Sequence, residues 1–291
     1  MTSPPLDALR ALADLPGVQE AVDEARDACT RLRWHQALRR RTPEAAAESR
    51  VRGATASALL EGAEPAGSEA SLPLVRDLMR GAVPWQARGQ DPVWQVLSGV
   101  VRATAATEHV GATHLRAPAQ LLAALHTAAT AGLLPEDQVG RPRSSDGCPE
   151  AVEVLGAAPA VEESLQRLRL VHELVAAVPG GRVPVLVLSA VVHAEIAVGR
   201  PFVAGNAVVA RALDRVLVRV GGLDPTGVAV PEAGHADRAG TDYRGALAAY
   251  AEGGPEGVRL WLIHCAHAVG RAAEEGARVA DAVLAGKLPQ R

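Results

Sequence analysis

Aromatic residues are scarce in this chain: four tryptophans, two tyrosines and one phenylalanine, 2% of 291 residues. So few rings argue against a base-stacking platform for single-stranded nucleic acid. They also leave the core to Ala, Val and Leu, whose small side chains suit close helix-on-helix packing. The tryptophans Trp34, Trp85, Trp94 and Trp261 are expected to be core anchors. An excess of one charge is lacking too. With 33 acidic and 30 basic residues the formal net charge is −3, which argues against a nucleic-acid surface. Cysteine occurs three times, as Cys29, Cys148 and Cys265. The spacing gives no CxxC pair and no even-numbered framework, which fits a reducing cytoplasm. The most apolar run, VPVLVLSAVVHAEIAVG (183–199), is interrupted by His193 and Glu195. It falls short of the roughly 20 apolar residues of a spanning helix, so a buried core helix is expected and no membrane contact. The first residues, MTSPPLDALRALADLPG, lack the basic and apolar regions of a secretion signal.

What is present is helix. Hydrophobic residues make up 48%, enough for a sizeable core. Over 17–50, Val18, Val22, Ala25, Cys29 and Leu32 recur three or four apart, and acidic residues precede basic ones as the helix dipole favours. The spacing predicts further helices at 51–63, 91–108, 118–131, 160–178, 183–199, 207–220 and 255–286, with a loop at 64–73. The 118–131 helix carries Pro118 at its start and Gly132 just past its end. Residues 133–159 lack helical period and read as a short strand pair around a Gly/Pro/Ser turn. The class is all-α.

One stretch carries chemistry. GRPFVAGNAVVAR (199–211) follows the apolar helix and opens a new one. Gly205 permits a tight backbone, and Asn206 tolerates left-handed conformations and donates hydrogen bonds. The free N–H groups of the helix that follows point into this turn, which makes it a ready anion site. Arg211 lies about one helical turn further along.

These residues resemble the Fic (Fic/Doc) family, whose signature is HPFxxGNGRxxR with an acidic residue just before GN. Pro201, Phe202, Gly205, Asn206 and Arg211 match it. His193, seven residues before Arg200, matches a histidine that is structural in the family. Upstream, Ser57-Ala58-Leu59-Leu60-Glu61-Gly62 is similar to the [S/T]xxxE[G/N] motif of an inhibitory helix in one Fic class. A third match is GRPR (140–143), which resembles the β-hairpin flap that clamps the target. The resemblance covers roughly residues 50–275. It implies a Fic-like helical bundle with a small β-hairpin flap, residues 1–65 forming N-terminal helices with the inhibitory-like helix and 66–291 the Fic-like domain.

The departures decide the expected activity. Arg200 stands where the family has its general-base histidine, and arginine, with a pKa above ~12, takes up no proton near neutral pH. Ala204 replaces the acidic metal holder, Ala207 a glycine and Val208 the first motif arginine. Loss of a positioned base alone costs about 10²–10⁴ in rate. No catalytic residue and no metal ligand is therefore assigned. The resemblance implies a catalytically impaired protein that binds a nucleotide such as ATP, or a protein partner, at Gly205, Asn206, Arg211 and Arg200. Mg²⁺ loses its usual ligand. Ser57, Glu61 and Gly62 are inhibitory-like, and a Glu61 that reaches Arg211 would plug the anion site. Two alternatives stay open: a transferase of AMP to protein hydroxyls with a rewired site, and a helical scaffold with a vestigial pocket. His264 and His267 share a helix face, but no further ligand follows at metal spacing.

Overall fold

The computed structural model describes residues 4–63, 68–89, 91–181 and 183–288. The chain is helical throughout its described core. The helices run α1 (Pro4–Ala13), α2 (Val18–Arg33), α3 (Thr42–Leu60), α4 (Ser68–Met79), α5 (Pro92–Ala106), α6 (Ala112–Leu115) and α7 (Pro118–Thr130). After a long irregular segment come α8 (Val152–Leu155), α9 (Val161–Ala177), α10 (Val185–Gly199), α11 (Asn206–Val220), α12 (Pro231–His235), α13 (Thr241–Glu252) and α14 (Gly254–Leu284). No helix among the described residues is long and apolar enough to cross a membrane.

The core centres on α10, in which every residue from Leu186 to Gly199 is buried. A helix that is apolar all round has no solvent face and must be surrounded. Helices α9, α11, α13 and α14 pack against it. The long α14 also lies along α2, and the apolar stripe Val18, Val22, Ala25, Cys29 and Leu32 is buried there, as its spacing predicts. Burial pushes the Cys29 thiol up to about 12, and all three cysteines are free and buried. Small residues let the helices approach closely. A Cβ on Gly99 of α5 would stand 1.9 Å from the Ala129 carbonyl oxygen of α7.

Several expectations are corrected. The 17–50 helix is broken at Trp34 and His35, and the short helix expected at 51–63 is the second half of α3. The loop expected at 64–73 gives way to α4 from Ser68 onward, while 64–67 lie outside the described residues. No strand forms among the described residues; the only pairing outside helices is an isolated bridge between Ala131 and Leu134. The expected strand pair over 133–159, and with it the β-hairpin flap at 140–143, is replaced by turns and the single turn of α8. Trp34 is 75% exposed and anchors nothing, whereas Trp94 and Trp261 are buried.

Gly99→Ala is expected to lower the melting temperature, at a cost of about 1–3 kcal/mol, because the clash is with backbone that has no room to yield. Gly245→Ala on α13, where an added Cβ meets nothing within 4 Å, is expected to leave stability unchanged or raise it by about 0.5–1 kcal/mol through helix propensity. Thermal melts of the two variants check the contrast.

Candidate functional site

The turn between α10 and α11 is built for an anion. Gly205, the N-cap of α11, sits at φ 79°, where side chains with a Cβ are disfavoured. A Cβ there would also stand 2.8 Å from Thr130 Cγ2. Asn206 is fully buried and closes the turn on itself. Its Oδ1 accepts from the Phe202 backbone N–H at 2.9 Å and its Nδ2 donates to the Phe202 carbonyl at 2.9 Å. Phe202 stacks on His126, ring centroids 4.0 Å apart. His126 Nδ1 accepts from the Gly140 N–H, so Nε2 carries the proton and donates to the Ala204 carbonyl at 3.0 Å. Burial lowers the His126 pKa to about 4, which keeps the ring neutral.

The cradle holds a carboxylate from the chain itself. Glu150 Oε2 accepts from the Asn206 backbone N–H at 3.0 Å and from Asn206 Nδ2, and Oε1 accepts from the Ala207 N–H at 3.3 Å. These are the N–H groups that a phosphate would use. Burial raises the Glu150 pKa above its ordinary 4.5, the Glu61 charge adds to the rise, and the bonds from Asn206 and Ala207 oppose it. Sequence reasoning missed Glu150, because it lies 56 positions from Asn206 in a segment without motif.

The segment that delivers Glu150 is bound to the motif loop by two buried arginines. Arg143, within the GRPR tetrad, donates to the carbonyls of Arg200, Ser145 and Pro159 and to the Ser164 hydroxyl. Its backbone N–H reaches the Pro201 carbonyl at 2.8 Å. The tetrad thus packs on the motif loop without forming a hairpin. Arg200, 1% exposed, donates Nη1 to the Glu150 and Gly156 carbonyls at 2.9 Å and Nη2 to the Ala157 carbonyl at 2.7 Å. It was expected as a phosphate ligand; its donors are instead spent on carbonyls that straddle Glu150. Arg200 and Ala151 both hold left-handed backbone, at φ 45° and 57°, a conformation that costs a residue with a Cβ about 1 kcal/mol or more.

Arg211 is occupied as well. Its Nε donates to Ser57 Oγ at 2.9 Å and its Nη2 to Glu61 Oε1 at 2.5 Å. Burial opposes its charge, but Glu61 and the Tyr243 hydroxyl outweigh burial and hold its pKa above the ordinary value. Ser57 and Glu61 therefore meet Arg211 at the end of α3, with Gly62 in the turn beyond. The remaining space is a cavity of about 230 Å³ between Glu61, Glu150, Ala207, Arg211, Tyr243 and Leu247. Ligand pockets commonly offer roughly 300–1,000 Å³. Val208 is buried and apolar, and Ala204 contributes only its carbonyl, to His126. These residues do not fit a magnesium nucleotide: the nest is taken, both arginines are paired, and position 204 offers no carboxylate. His193 lies behind this cavity, its Nε2 2.9 Å from Tyr243 Oη.

No known protein-family model matches the sequence, and none of the curated proteins matches it. Among solved structures, the chain is similar to the crystal structure of a Fic family protein from Desulfovibrio desulfuricans, with a TM-score of 0.65. The identity is 20%, and the match covers 94% of this chain and 76% of that one. The fold is thus Fic-like.

Arg200→His is expected to destabilise the protein by about 1–3 kcal/mol, because carbonyls now held by the buried guanidinium lose their donors. Amide exchange at Asn206 and Ala207 should quicken as the Glu150 segment loosens. Glu150 also predicts a pH dependence. Because its folded-state pKa lies above the unfolded value, the folded protein binds more protons in the window between the two. Stability contributed by this group therefore falls as pH rises through the window and is fully present below it. Denaturant unfolding across pH 3–8 should show this component in the wild type and lose it in Glu150→Gln.

Proposed function

We propose that this protein is a Fic-like domain without nucleotidyl-transfer activity, whose phosphate cradle is filled by its own carboxylate and which works by binding a protein. The observation that carries the reading is Glu150 on the Asn206 and Ala207 N–H groups. An anion held there by three donors competes with any phosphate for the same groups. Arg200 supports the reading, since the residue in the place of the general base is a cation bonded to carbonyls. A group that neither accepts a proton nor faces the cavity activates no hydroxyl. The partner class follows from the resemblance, because Fic proteins act on other proteins. A reducing cytoplasm suits the three buried free thiols.

A second reading is favoured by the Glu61–Arg211 contact. There the cradle is a working nucleotide site that two carboxylates, Glu61 and Glu150, hold closed, and it opens when they withdraw. Calorimetric titration with ATP, with and without Mg²⁺, and transfer of label from ATP separate the two. The first reading expects no saturable binding to the wild type, and no label transferred from ATP to proteins by the wild type or by a folded Glu61→Gly, Glu150→Ala double variant. Label transfer that appears in the double variant and is lost again on adding Arg211→Ala would establish the second. Transfer of label by the wild type would overturn the first outright.

A further inference from the structure

Behind Arg211 lies a second polar cluster that the reading above does not use. It takes one residue from each of three helices: His193 of α10, Asp214 of α11 and His235 of α12. All three are buried. One donor atom from each lies within 4.8 Å of the others. The three side chains share a pattern: each is held on one side by a neighbour. His193 Nε2 lies 2.9 Å from Tyr243 Oη, Asp214 Oδ1 accepts from the Ser189 hydroxyl at 2.5 Å, and His235 Nδ1 lies 3.2 Å from His264 Nε2.

The atoms left without such a neighbour are His193 Nδ1, Asp214 Oδ2 and His235 Nε2. His193 Nδ1 is buried without any hydrogen-bond partner, a state that costs a polar atom its full desolvation. His235 Nε2 stands 3.6 Å from Asp214 Oδ2. That is too long for a hydrogen bond and matches the edge, about 3.3–3.6 Å, of a tetrahedron with metal–ligand bonds of ~2.0–2.2 Å.

We propose that His193 Nδ1, Asp214 Oδ2 and His235 Nε2 form a binding site for one divalent transition-metal ion of the zinc class. Two imidazoles and a carboxylate select such an ion over Mg²⁺ or Ca²⁺, which take oxygen ligands. The Tyr243, Ser189 and His264 contacts are the outer partners that orient metal ligands. With a metal on Nδ1, His193 keeps its proton on Nε2 and donates it to Tyr243. The three ligands come from α10, α11 and α12, so a bound ion cross-links these helices.

The test is a zinc titration of the full-length, chelator-treated protein, followed by calorimetry and thermal melting. One equivalent should bind saturably and raise the melting temperature. His193→Asn, Asp214→Asn and His235→Asn should each abolish that equivalent, and His264→Ala should weaken it about 10–100-fold. His35→Ala and His267→Ala, outside the cluster, should leave it unchanged. Cobalt bound to the wild type should show the intense d–d bands of a low-coordinate site with imidazole ligands, which keeps the proposal testable if the variants misfold. No saturable equivalent, a six-coordinate aquo-like cobalt spectrum, or full binding in folded ligand variants overturns it. None of these readouts involves nucleotide.

Discussion

A carboxylate drawn partly out of water needs donors around it, and that constraint organises the site of this protein. Glu150 is half-buried against the first turn of α11, where unpaired backbone N–H groups need an acceptor. Each side of the contact satisfies the other: the helix terminus gains an anion that complements its dipole, and the carboxylate gains Asn206 and Ala207 as donors. The bonds do not fully offset the burial, which is why the carboxyl pKa lies above its ordinary value. The geometry of the turn, from the left-handed Gly205 to the Asn206 side chain bracing Phe202, serves an internal ligand.

Two buried arginines make that internal ligand possible. A guanidinium has five donors and needs an acceptor for each when water is excluded. Arg143 and Arg200 find theirs in the carbonyls of an irregular segment whose backbone would otherwise be unpaired. The exchange fixes a loop of more than twenty residues without a strand. It also explains how the segment from 140 to 160 is ordered although no hairpin forms. Arg200 holds the backbone of Glu150 itself.

The polar residues deeper in the bundle follow the same logic. Arg211 is bonded to Ser57 and Glu61, and Arg215 pairs with Glu232 at 2.7 Å while bonding Ser49. Both contacts tie α11 to α3, and a partner lost from either would strand a buried charge. Next to them five rings cluster: Trp261, Tyr243, His193, His235 and His264 form ring pairs with centroids about 5–6 Å apart. Trp261 donates to the Ala190 carbonyl at 2.7 Å, which locks α14 onto the buried α10.

The sequence by itself determined six of the longer helices and the turn. Period-3.6 apolar spacing placed α5, α7, α9, α10, α11 and α14 closely, because side-chain burial on a helix is a local pattern. Gly205, Asn206, Ser57, Glu61 and Arg211 were legible because backbone freedom, capping chemistry and motif spacing are carried by neighbours in the chain. Only the tertiary structure decided what fills the cradle. Glu150, Arg143 and the His193–Asp214–His235 cluster join residues tens of positions apart, and nothing in local spacing encodes which buried donor meets which acceptor. Arg200 shows the limit most clearly: its loop position suggested an exposed anion ligand, whereas burial and unpaired carbonyls made it a structural bolt.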